Sequence, residues 1–370
     1  MPGHPIQLLR IADLRSLPRL VILTSLLIPA ILQSVAARAA DLAYVALQNA
    51  GQVAIVDVRT GAILRQIPVG QLPRGAVASR DGRSVFVLNQ GDKTVSVVDV
   101  ASHLVRHTLD IAPYLDASQD AGESLSRTNI AVSPDGAHLY LLNQVGRLVR
   151  LPTTAGAGAA PVERALSGYL TNPSIEVIAD GARLLIPGRN ELVVIDAATL
   201  RQIGQLPLSA TLVNGMAAFR ATRSGPVVVG DDGMVTFGMA NLDLFASETA
   251  SIYQLVSEPG TRTPEAALSR DGRYYFRARQ NGGIYRFDSQ TRQLTAGIAT
   301  GATISGLALT ADDSLLVALN PTQNAMRVID AKTMKLVKSI PLGPTPRAHR
   351  DFIITSTPQA PFAPQPKLKF

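Results

Sequence analysis

Residues 75–100 read GAVASRDGRSVFVLNQGDKTVSVVDV, and this stretch decides the fold. One apolar run ends at Ser79-Arg80-Asp81-Gly82, a second at Asn89-Gln90 and a third at Asp99. Short valine- and leucine-rich runs closed by Asp, Asn and Gly read as consecutive β-strands joined by tight turns. The same unit returns along the chain. It appears as Ile130-AVSPDG-Ala137 with Leu139-YLLN-Gln144, and as Ile175-EVIADG-Ala182 with Leu192-VVID-Ala197. It returns again as Ala266-ALSRDG-Arg273 with Gly283-IYRFD-Ser289, and as Leu307-ALTADD-Ser314 with Met326-RVID-Ala331.

Spacing tests the repeat better than appearance does. The turn aspartates Asp81, Asp135, Asp180, Asp271 and Asp312 lie 54, 45, 91 and 41 residues apart. The strand-end aspartates Asp57, Asp99, Asp196, Asp288 and Asp330 lie 42, 97, 92 and 42 apart. The gap of 91 is two periods of about 45, so a degenerate copy is expected near residues 215–260. A period of roughly 40–50 residues with four strands per unit is the signature of a propeller. One such sheet cannot bury both its faces, whereas sheets stacked around an axis can. The reading is an all-β, seven-bladed β-propeller. The first unit begins at Leu42 on what would be its second strand, and Asp351-FIITS-Thr357 supplies the missing one. The ring is therefore expected to close by pairing of a C-terminal strand into the N-terminal blade, which leaves no open edge.

Composition sets the outer limits. The chain has 370 residues, 46% apolar and 17% charged, which excludes wholesale disorder. Cysteine is absent, and with it disulfides, thiolate zinc sites, CxxCH haem attachment and a cysteine nucleophile. Residues 1–39 read as a signal peptide. Arg10, Arg15 and Arg19 precede the apolar stretch Leu20 to Val35, and Ala37-Arg38-Ala39 offers a small-x-small cleavage site. An uncleaved N-terminal anchor is the alternative. The formal +7 falls to +4 without that segment, which carries four arginines and one aspartate. So mild an excess, with no basic block, argues against nucleic acid. No membrane span is expected after signal removal, and the protein is expected to be periplasmic or secreted. Residues 40–356 form the propeller, and 357–370 form a Pro-rich tail with Pro358, Pro361, Pro364 and Pro366.

The stretches Tyr44-VALQN, Val53-AIVD, Ile67-PVG, Pro73-RGAVAS and Arg80-DGRSVFVLN resemble the YVTN-family β-propeller repeat. The resemblance spans about residues 42–356 and is strongest in the first two blades and the last. It implies a propeller fold without choosing an activity, because relatives include surface-layer proteins, lactonases, haem d-binding domains and amine dehydrogenase heavy subunits.

Candidate site residues follow from the architecture. The repeated Asp and Asn residues are read as turn formers. Residues just before each innermost strand face the mouth of the central channel. There stand Arg74, Arg127 and Arg347, with His349 beside the last and Glu265 before the sixth inner strand. Guanidiniums near one axis suit bidentate binding of a carboxylate or phosphate. The plain alternative is solvated rim charge. His103 and His107 have the i, i+4 spacing of a helical zinc pair, but on a strand that spacing is about 13 Å, too far for one metal. The acidic insertion with Asp110, Asp116, Asp120 and Glu123 lacks the order of a calcium loop, and no metal site is assigned. GxSxG, GxxxxGK[ST] and HExxH are all absent. The expected function is an exported binding or interaction module for an anionic small molecule or a protein partner. The alternatives are a lactonase-like hydrolase or an accessory subunit of a periplasmic redox enzyme. No cofactor is assigned.

Overall fold

The computed structural model describes residues 41–115, 130–143, 146–154, 160–166, 175–177, 181–187, 191–207, 216–222, 225–230, 234–237, 251–254, 266–278, 282–288, 291, 293–301, 303–343 and 352–356. The chain divides into units of residues 1–39 and 40–370, and every described residue belongs to the second. The expected signal segment and Pro-rich tail lie outside the described residues. Among the described residues, no helix is long and apolar enough to cross a membrane.

The described strands form seven four-stranded antiparallel sheets. The first contains β1 (Asp41–Leu47), β2 (Gln52–Asp57) and β3 (Ile63–Pro68). The second contains β4 (Pro73–Ala78), β5 (Ser84–Asn89), β6 (Thr94–Asp99) and β7 (Leu104–Asp110). The third runs through β8 (Ile130–Val132), β9 (His138–Leu142), β10 (Arg147–Pro152) and β11 (Val162–Ala165). The fourth has β12 (Glu176–Val177), β13 (Arg183–Pro187), β14 (Glu191–Asp196) and β15 (Gln202–Pro207). The degenerate copy supplies the fifth, with β16 (Met216–Thr222), β17 (Gly225–Gly230), β18 (Met234–Phe237) and β19 (Ser251–Gln254). The sixth holds β20 (Ala266–Leu268), β21 (Tyr274–Ala278), β22 (Gly283–Asp288) and β23 (Gln293–Ala299). The seventh holds β24 (Gly306–Leu309), β25 (Leu315–Asn320), β26 (Ala325–Asp330) and β27 (Lys335–Pro341). The last strand, β28 (Phe352–Ser356), is the fourth member of the first sheet. It pairs antiparallel with β1, from Asp41 opposite Ser356 to Val45 opposite Phe352.

Burial explains why the strands read as they do. Every residue of β1 and β5 is buried, because these second strands have a sheet on either side. The fourth strand β7 alternates exposed and half-buried positions. Apolar side chains fill the spaces between successive sheets. Leu42, Tyr44 and Ile55 pack with Val85, Val87 and Val98 between the first and second. Phe86, Leu88 and Val97 pack with Leu139, Leu141 and Val149 between the second and third. Tyr140 and Leu148 meet Leu184 and Ile195 between the third and fourth, and Phe276 and Ile284 meet Leu316 and Ile329 between the sixth and seventh. The first sheet also packs on the seventh, through Ala43, Val45 and Val56 against Val317, Met326 and Val328.

Candidate functional site

In a four-stranded antiparallel sheet the turns alternate between two ends. The turns after the first and third strands share one end, which carries the repeated aspartates. The turn after the second strand shares the other end, the asparagine end, with the link to the next sheet. The two ends differ in chemistry.

At the aspartate end the polar groups satisfy one another. Ser79 Oγ donates to Asp81 Oδ1 at 2.6 Å, Arg83 N donates to the same oxygen, and Ser84 N donates to Ser79 Oγ. The arrangement repeats at Ser133–Asp135, Ser269–Asp271 and Thr310–Asp312. Hydrogen bonds from the Ser133 hydroxyl and the Ala137 amide hold Asp135 below the usual carboxylate range. The strand-end aspartates accept backbone amides in the same repeated way: Ser102 on Asp99, Thr199 on Asp196 and Thr333 on Asp330, each at 2.7 Å. These residues build turns, as the sequence indicates.

The two spaced histidines are structural neighbours of other sheets. His103 sits in the turn after β6 with φ 56°, and its Nδ1 lies 3.2 Å from the buried Tyr44 hydroxyl of the first sheet. Burial, followed by the charge of Arg65, pushes His103 below the ordinary histidine value, against the pull of Asp99. Burial, followed by the charge of Asp99, raises Tyr44 well above the usual phenol range. His107, on β7, bonds through Nε2 to the Thr153 carbonyl of the third sheet.

The asparagine end carries Arg74. The residue stands at a β-bulge, where the pairing of β4 with β5 slips between Pro73 and Gly75. The residue is half-buried, and its guanidinium donates to Gln90 Oε1 at 2.8 Å, which fixes its direction. Around it the link from β3 folds tightly on the turn after β5. Gln71 N donates to Asp92 Oδ2 at 3.0 Å, and Thr94 Oγ1 donates to Asp92 Oδ1 at 2.7 Å. Gly70 permits this approach, since a Cβ there would lie 2.5 Å from Asp92 Oδ2 and 2.6 Å from Asn89 Nδ2. Of the sequence-predicted site residues, Arg74 is described. Arg127, Glu265, Arg347 and His349 lie outside the described residues, as do residues 116–126 of the acidic insertion that begins at Asp110.

Several atoms that motif reading missed also belong to this end. Asn89 Oδ1, Asn143 Nδ2, Ser305 Oγ, Asn324 Oδ1 and Arg327 Nε are buried without a hydrogen-bond partner. The sixth such atom among the described residues, the Tyr275 hydroxyl oxygen, belongs to a tyrosine stacked on Phe287. Ser305 stands five residues before Thr310, as Arg74 stands five before Ser79. That offset was the available sequence signal. Buried polar atoms are nearly always satisfied, so unsatisfied ones grouped at one end mark where water or a ligand belongs.

No family model and no curated protein matches the chain. Solved structures do. Hydrazine synthase from Kuenenia stuttgartiensis is 17% identical, with a TM-score of 0.57 over 78% of this chain and 91% of that one. Dihydro-heme d1 dehydrogenase NirN, solved in complex with DHE, is 18% identical, with a TM-score of 0.59 over 84% of this chain and 74% of that one. A β-propeller domain, Cps50 of Myceliophteria thermophila, is 16% identical, with a TM-score of 0.59 over 76% of this chain and 90% of that one. Identities this low speak to architecture alone, and the architecture is that of a β-propeller.

Proposed function

We propose that the chain is a seven-bladed β-propeller, closed by β28 in the first blade, that is exported by residues 1–39 and binds an anionic small molecule at its asparagine end. The observation that carries the binding reading is the contrast between the two ends. Among the described residues, the four serine– or threonine–aspartate turns are satisfied by internal hydrogen bonds, whereas five buried polar atoms at the other end, which also carries the oriented guanidinium of Arg74, lack partners. An arginine whose direction is set by a neighbour meets a carboxylate or phosphate at little further entropic cost. Arg127, Arg347 and His349 would add positive or donor groups to the same mouth, and Glu265 a carboxylate. The seven-sheet count, the β1–β28 pairing and the packing of the first sheet on the seventh support the closed ring.

Native mass spectrometry of protein purified from the periplasm, beside a denatured control, tests the reading. A small anion should be retained by the parent protein and lost from a folded Arg74→Ala variant. Retention undiminished by Arg74→Ala would overturn the arginine-centred site, and a bare mass would favour a protein partner. A second reading, an accessory subunit of a periplasmic redox enzyme, is suggested by two neighbours named as a synthase and a dehydrogenase. A chromophore or a redox protein copurifying with the chain would favour it.

A further inference from the structure

One side-chain contact recurs from sheet to sheet at the aspartate end. Arg65 on β3 of the first sheet donates to the Ser102 carbonyl in a turn of the second, at 3.3 Å. His107 on β7 of the second sheet reaches the Thr153 carbonyl of the third, an acceptor that requires the proton on Nε2. Arg150 on β10 of the third donates to the carbonyls of Ala197 and Ala198 in the fourth, at 3.5 and 2.6 Å. Arg286 on β22 of the sixth donates to those of Ala331 and Lys332 in the seventh, at 3.0 and 2.6 Å. Lys338 on β27 of the seventh donates to the Arg59 carbonyl of the first.

Register places these five donors on one rung of their sheets, three on the fourth strand and two on the third. They sit on one or the other member of the cross-strand pairs Ile55–Arg65, Val97–His107, Arg150–Val162, Arg286–Ala296 and Val328–Lys338. In four of the five sheets the pairing slips by one residue immediately after that pair. Such a bulge adds local twist, which swings an outer-strand side chain toward the neighbouring sheet. Each acceptor lies in the segment just after the third strand. In the fourth sheet the equivalent pair is Val194–Gly204, with the same slip after Val194. Neither side chain can donate a hydrogen bond.

We propose that this donor-to-carbonyl latch holds neighbouring sheets together at the aspartate end, and that, among the six sheets whose donor pair is described, the outer strands of the fourth, which has no donor there, open first. The adjacency of the fourth and fifth sheets rests on the ring reading above. The latch itself does not, because the first sheet packs directly on both the second and the seventh.

Hydrogen–deuterium exchange on the full chain tests both parts. Arg65→Met and Lys338→Met keep the stem and remove the donor. Each should speed exchange in the turn it touches, residues 99–103 or 57–61, by about tenfold and leave distant sheets unchanged. In the parent, β14 and β15 should exchange before the strands at the latched junctions. Gly204 is half-buried and lies outside the left-handed region, so its backbone suits an L side chain. Gly204→Arg should slow exchange in β14 and β15 by about tenfold, and Gly204→Lys provides a shorter donor should arginine disturb folding. Unchanged exchange in folded Arg65→Met and Lys338→Met would overturn the latch. Unchanged latches with first opening elsewhere, or with no slowing by either Gly204 variant, would overturn the hinge and leave the latch standing.

Discussion

His103 shows how a residue that looks like a metal ligand is absorbed by the fold. Its backbone is left-handed at φ 56°, and its ring meets the fully buried Tyr44 across a sheet junction. Its folded value is depressed, so the native state prefers the neutral ring. The stability this contributes is present above the unfolded value of about 6.5 and is lost as pH falls through the folded value. The thermal stability of the parent should therefore fall on acidification below about pH 6.5. His103→Asn, which tolerates the left-handed backbone, should flatten that part of the profile. A profile that keeps its slope in the variant would assign the titration elsewhere. Gly70 makes the opposite point, because its importance lies in what is missing. Gly70→Ala should cost about 1–3 kcal/mol in chemical denaturation, since the new methyl would collide with Asn89 and Asp92.

At the level of the element, the serine–aspartate turn is the unit that the sequence announces. Ser269 Oγ both donates to Asp271 and accepts from Tyr274 N. Ser269→Ala should cost about 1–2 kcal/mol, read as a lower denaturant midpoint with an unchanged slope. The turns and strands were legible because their chemistry is local: Asp81 needs partners only two residues away, at Ser79 and Arg83. The latch was not legible, because Arg65 and Arg286 stand on different strands and become equivalent only once register pairs them with Ile55 and Ala296. Likewise Ser305 carries no motif of its own, and its unsatisfied hydroxyl emerges only from burial. Arg74 could be named as a candidate from its place before an inner strand, but its bulge and its bond to Gln90 depend on pairing with β5.

For the whole molecule, the contact between the first and seventh sheets joins residues far apart in the chain. Arg59 donates through Nε to the buried Asp41 and through a terminal nitrogen to Asp312, both at 2.8 Å, joining positions 253 residues apart. Burial opposes ionisation of Asp312. The hydrogen bonds of Ser314 and Thr310, joined by that of Arg59, outweigh it and hold the carboxyl far below its ordinary value. Arg59→Met would take a charged donor from both the buried Asp41 and Asp312 and should lower stability by about 2 kcal/mol, with a smaller loss for Arg59→Lys. Stability near pH 7 in both denaturant and heat would measure it. The antiparallel sense of the β1–β28 pair has a mechanical consequence. Asp41 and Ser356 lie side by side, so the chain enters and leaves the sheet at the same point. Tension on both ends would peel these strands apart rung by rung, as a zipper opens, instead of shearing all their bonds together. A strand pair that holds against heat would then be weak against pulling, and a molecule tethered at both ends would yield at β1 and β28 first.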